Sequence, residues 1–134
     1  MWLVKTEPTE YAFDDLAKAG TARWDGVRNP VALRNLGAMK VGDRVFVYHT
    51  GDEKAVVGVA EAVSDSYPDP RARDDPGAVV VDVAPTRRLA RPVTLTELKA
   101  RPALGAFPLV RLPRLSVMPV SAAEWREIER LART

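Results

Sequence analysis

The chain has 134 residues, 46% of them hydrophobic, no cysteine and a formal net charge of +2. That length and apolar content fit one domain with one core. The missing cysteines exclude disulfides, thiolate nucleophiles, Cys-ligated zinc and Fe–S clusters together.

At the N-terminus, Met1-Trp2-Leu3-Val4-Lys5 is too short an apolar run for a signal-peptide core. No later window approaches the roughly 20 apolar residues of a membrane span. A cytoplasmic monomer without membrane contact is the expectation. The run from Trp2 to Lys5 reads as a buried strand ended by Thr6-Glu7-Pro8. Thr9 is placed to cap a helix over residues 10–19, with Phe13, Leu16 and Ala17 on one face and Gly20 as its stop.

Asn29-Pro30 is a strong helix start, and Ala32, Leu33, Leu36 and Met39 give that helix its apolar stripe. A strand over residues 44–50 and a partner over 55–64 form a hairpin across Gly51-Asp52. Residues 65–77, rich in Pro, Asp and Arg, read as an exposed loop, and 78–88 as a Val-rich strand. Thr94-Leu95-Thr96-Glu97 and Ser121-Ala122-Ala123-Glu124 are capping boxes, the second opening a helix with Trp125, Ile128, Leu131 and Ala132 inward. Between them, 111–117 reads as a last short strand. The order β-α-α-β-β-β-α-β-α describes an α+β fold: a small curved sheet or open barrel of about five strands, flanked by short helices.

Catalytic parts are scarce. The one histidine, His49, ends a core strand, and no serine sits in a nucleophile-elbow context. His49 is better read as a strand residue bonded to backbone than as a base. A small hydrolase using His49 with a carboxylate is the weakest of three readings. No spaced ligand set for a metal and no glycine-rich phosphate loop is present, so neither a metal nor a cofactor is expected. Asp65, Asp69, Asp74 and Asp75 interleave with Pro and Arg as a solvated loop does, and not as a calcium site.

The most unusual segment is Trp24-Asp25-Gly26-Val27-Arg28-Asn29. An aromatic face, an amide edge and a forked donor together describe a pocket for a flat heterocycle. A Trp plugging the base of a barrel, with Asn29 merely capping its helix, explains the same residues equally well. The sequence pI of about 9.1, carried mostly by arginine, permits phosphate binding without requiring it.

Five ordered blocks break the tie. They are Trp2-Leu3-Val4-Lys5-Thr6-Glu7-Pro8; Trp24-Asp25-Gly26-Val27-Arg28-Asn29; Met39-Lys40-Val41-Gly42-Asp43 leading to Phe46-Val47-Tyr48-His49-Thr50; Val57-Gly58-Val59-Ala60-Glu61 with Tyr67-Pro68-Asp69; and Arg114-Leu115-Ser116-Val117-Met118-Pro119-Val120 with Glu124-Trp125. In this order they resemble the EVE domain family over nearly all of residues 1–134. The resemblance implies a PUA-like curved or open barrel of five to six strands. It also implies a non-catalytic module binding DNA or RNA through a modified base, such as a modified cytosine, flipped or in a single strand.

Carried over by residue, Lys5 and Thr6 would stand at the pocket mouth, and Trp24, Val27, Arg28 and Asn29 would form a wall. Tyr48, His49 and Thr50 would line the facing side. Arg114, Leu115 and Ser116 would close the pocket, Arg114 reaching a phosphate. Thr6 and Thr50 stand where serines are common in the family, and each methyl would narrow the pocket. The Asp-rich loop opposes tight duplex binding. The remaining alternative is a PUA-like adaptor that binds a protein or another small ligand.

Overall fold

Strand formation follows the Val-rich runs. In the computed structural model, which describes residues 1–134, the strands are β1 (Trp2–Thr6), β2 (Ala22–Trp24), β3 (Arg44–His49), β4 (Ala55–Ala62), β5 (Tyr67–Pro68), β6 (Val79–Thr94) and β7 (Val117–Pro119). They join in the order β2-β6-β4-β3-β1-β7, with the two-residue β5 pairing on β6 beside that path. Only β1 and β3 run parallel; the other pairings are antiparallel. Register shifts between Val56 and Gly58 and between Val59 and Ala60 mark bulges in the β4–β6 ladder, which bend the strands and curl the sheet into an open half-barrel.

The helices are α1 (Phe13–Ala19), α2 (Pro30–Gly37), α3 (Leu95–Lys99), α4 (Pro108–Arg111) and α5 (Ala122–Ala132). Both capping boxes form as expected, Thr94 with Glu97 and Ser121 with Glu124. In α5, Trp125, Ile128, Leu131 and Ala132 are all buried, and Trp125 stacks on Phe46 with ring centroids 3.6 Å apart. Such a pair adds about 0.5–1.5 kcal/mol to the burial of its area. The buried apolar side chains form one cluster that takes in strands and helices alike.

Four expectations fail, three of them locally and one through a distant strand partner. Thr9 does not cap α1; its N–H and hydroxyl both donate to Glu7 Oε1, closing a turn, and the helix begins three residues later at Phe13. Ala17 is exposed, so the inward face of α1 is Phe13 and Leu16 alone. Residues 111–116 are no strand: Pro108 opens α4, and a turn closed by the Leu115 N–H on the Leu112 carbonyl follows. Finally, β6 runs on to Thr94, well past Arg88, because β4 supplies a ladder along its second half.

Gly58 shows how tightly α1 is seated. A Cβ there would lie 2.6–2.8 Å from the Phe13 ring, so the helix anchor packs straight onto bare backbone of β4. The Arg88 guanidinium lies over that ring, 5.2 Å from its centroid.

Candidate nucleic-acid pocket

The two end strands of the sheet path, β2 and β7, do not pair with each other, which leaves a seam. α2 packs across it, and its Asn35 Nδ2 donates to the Val117 carbonyl at 2.8 Å, covering part of the free edge of β7. A cavity of about 450 Å³ opens in the seam. Its walls are the end of β1 (Lys5 and Thr6), Tyr11, all of β2, the turn Asp25 to Arg28, and Ser116. Gly26, at φ +73°, is the residue that lets this turn fold back beside the cavity.

Trp24 lies in β2, opposite Val81, and keeps 9% of its surface exposed at the cavity. Tyr11 meets it edge to face, with centroids 6.4 Å apart and planes at 80°. The Thr6 hydroxyl donates to the Tyr11 carbonyl at 2.6 Å and so holds that aromatic pair in place. Burial and the nearby charge of Asp15 push the Tyr11 phenol above its ordinary range, so it stays a neutral donor at the wall.

Lys5 reaches across the seam. Its Nζ donates to the Pro113 carbonyl at 2.8 Å and lies 5.7 Å from the Tyr48 ring centroid. Burial without a carboxylate partner lowers its pKa, since desolvation penalises the ammonium form. Arg23 is braced by Tyr67, whose hydroxyl accepts from Nε at 3.1 Å and donates to Asp82 at 2.6 Å. Arg28 is exposed on the cavity rim and takes part in none of the five arginine–carboxylate ion pairs.

Of the residues singled out in the sequence, Lys5, Thr6, Trp24, Val27, Arg28 and Ser116 come together here. Asn29, Arg114 and Leu115 line a neighbouring depression instead. The Asn29 Oδ1 accepts from the Val31 and Ala32 N–H groups at 2.9 and 3.1 Å, so half of its amide is committed to capping α2.

Tyr48, His49 and Thr50 line neither space. Tyr48 is buried in the core beneath Lys5. His49 accepts from the Phe13 N–H at Nε2 and faces Glu53 with Nδ1 at 2.7 Å, so both ring nitrogens are engaged. The Thr50 N–H donates to the Thr6 carbonyl.

Sequence reasoning missed Tyr11, Ala22 and Arg23. A three-residue strand carries too little pattern to read, but an aromatic just beyond Thr6-Glu7-Pro8 was visible as a signal.

The EVE domain model matches residues 1–131. The chain belongs to the EVE domain family. Thymocyte nuclear protein 1 of Mus musculus is 34% identical, with 99% of this chain and 74% of the relative covered. A protein of Agrobacterium tumefaciens superposes with a TM-score of 0.94 at 38% identity, covering 98% of this chain and 91% of its own. Human THYN1 protein, in a crystal structure with 5-methylcytosine-containing DNA, superposes with a TM-score of 0.90 at 30% identity, covering 99% of this chain and 97% of its own. The open, curled sheet with short flanking helices is the PUA-like architecture of these EVE relatives.

Proposed function

We propose that this EVE domain binds nucleic acid and holds one base, extruded from its stack, in the seam cavity, where it discriminates a modified cytosine without chemical turnover. The observation that carries this reading is the cavity's composition. A Tyr11–Trp24 aromatic pair and Val27 offer apolar contact, while Lys5, Arg23 and Arg28 ring the same space with donors. A volume of about 450 Å³ lies within the range of small-ligand sites, about 300–1,000 Å³. The human relative whose structure contains 5-methylcytosine DNA supports the choice of ligand. DNA is the favoured nucleic acid on that ground, with a modified base in RNA as the second candidate.

A base can enter such a cavity only when flipped or single-stranded. Stacking on an aromatic contributes about 1–3 kcal/mol per base, and a methyl filling an apolar notch adds about 0.8 kcal/mol. Discrimination is therefore modest in size. The absence of turnover is supported by His49, the chain's single histidine, both of whose nitrogens are bonded away from the cavity.

The test is titration of dye-labelled methylated and plain oligonucleotides, followed by their fluorescence anisotropy, with wild type, Trp24→Ala and Trp24→Phe. We expect Trp24→Ala to abolish the preference for the methylated base. Trp24 also belongs to the core, so that variant loses about 3 kcal/mol of stability, whereas Trp24→Phe keeps an aromatic wall and part of the preference. Undiminished discrimination by a folded Trp24→Ala protein would sink the assignment.

A further inference from the structure

A second depression of about 450 Å³ lies beside the seam cavity and shares both of its walls. On one wall Val27 and Arg28 face the cavity, and the next residues of the chain, Asn29 and Val31, face the depression. On the other, Ser116 faces the cavity, and the preceding segment, Arg111 to Leu115, faces the depression. Lys5 ties the two together through its hydrogen bond to the Pro113 carbonyl. The two spaces thus lie side by side along these two segments, a divided groove with no lining residue in common.

The depression is unlike its neighbour in chemistry. Leu112 is 52% exposed and Val31 41%, two of the four large hydrophobic side chains that the protein leaves exposed. Leu112 is held rigidly nonetheless. Its N–H donates to the Pro108 carbonyl at 2.7 Å, its carbonyl accepts from the Leu115 N–H at 3.0 Å, and Leu109 and Leu115 on either side are buried. The turn thus holds the Leu112 backbone at both ends while its side chain stands open to solvent. Arg111 and Arg114 flank it, both exposed, and neither belongs to any of the five arginine–carboxylate ion pairs. An apolar tip between two free guanidinium groups complements a base step between two phosphates.

We propose that Leu112 is a wedge for duplex DNA: it enters the stack beside the base held in the seam cavity and fills the gap which that base leaves, while Arg111 and Arg114 hold the adjacent phosphates. This inference rests on the base-reading function above and assigns a separate role to a separate part of the groove. Extruding a base from a duplex unstacks its neighbours, and an apolar side chain in the vacancy offsets that cost. A single strand leaves no such vacancy. The wedge therefore acts on duplex binding alone.

The experiment measures the affinity of the full chain for three fluorescent DNAs: a duplex with one central 5-methylcytosine, the same modified strand alone, and the unmodified duplex. Leu112→Ser is expected to weaken binding of the modified duplex at least tenfold and to leave the modified single strand within twofold of wild type. Leu112→Phe, which keeps an apolar tip, stays within threefold on both. The fluorescence of 2-aminopurine placed next to the modified base rises on binding wild type and stays low with Leu112→Ser. Wild-type affinity of Leu112→Ser for the modified duplex, with the preference over the plain duplex intact, overturns the wedge and spares the base-reading function. Equal losses on duplex and single strand also overturn it. Equal wild-type affinity for modified and plain DNA overturns both.

Discussion

The polar groups gathered at the C-terminal ends of β1 and β3 fall into two neighbourhoods with opposite habits. On the α1 side, the groups at the strand ends pair within the protein: Glu7 accepts from Thr9, His49 joins Phe13 to Glu53, and Thr50 donates to Thr6. The Thr9 hydrogen bonds, acting against a small effect of burial, hold the Glu7 carboxyl below its ordinary range. On the seam side, Arg28, Arg111 and Arg114 have no partner, and Lys5 has only a backbone carbonyl. Saturated hydrogen bonding marks the part that builds the fold. Free donors beside an aromatic wall mark the part open to a ligand.

Substitutions on the two sides should therefore separate stability from binding. On the α1 side, the largest effect on stability is expected from Gly58→Ala. Its methyl would meet the Phe13 ring, and overpacking of this kind costs about 1–3 kcal/mol. Urea unfolding should place it at the upper end, with DNA affinity unchanged in the folded fraction.

His49→Ala comes next. It orphans the Phe13 N–H at the start of α1, for a loss of about 2 kcal/mol. His49→Gln, which can again offer an acceptor to that N–H, should recover part of it. A loss of affinity without a loss of stability in either His49 variant would break the comparison.

Arg28→Ala sharpens it from the other side. Unfolding should shift by less than about 0.5 kcal/mol, as for other exposed positions. DNA affinity should fall severalfold, and its logarithmic salt dependence should flatten by about one if Arg28 meets a phosphate.

Elements with local chemical signatures were legible in the sequence. Asn29-Pro30, Thr94 with Glu97, and Ser121 with Glu124 start helices where their side chains predict, because a cap is decided within four residues. Elements defined by a distant partner were not. β2 is only three residues long and exists because β6 offers it an edge, and the end of β6 is set by β4.

The same division runs through the site. Lys5, Thr6, Trp24, Val27, Arg28 and Ser116 could be gathered in advance from the resemblance to the EVE family. For Asn29 and His49 the residues themselves pointed to structural roles, and the structure keeps them there. Asn29 caps α2 beside the neighbouring depression, and His49 is claimed by the Phe13 N–H; only their carried-over places in the pocket wall fail.

The open seam has a kinetic consequence. Its cavity joins the end of the first strand to the segment entering the last, and the Lys5–Pro113 hydrogen bond closes a loop of 108 residues. Contacts so far apart along a chain form late, after their loop entropy has been met by other structure. A nascent or partly unfolded chain can hold most of its sheet and still possess no cavity. The capacity to bind thus depends on a contact between the two ends of the chain, which makes ligand binding a report on whether those ends have met.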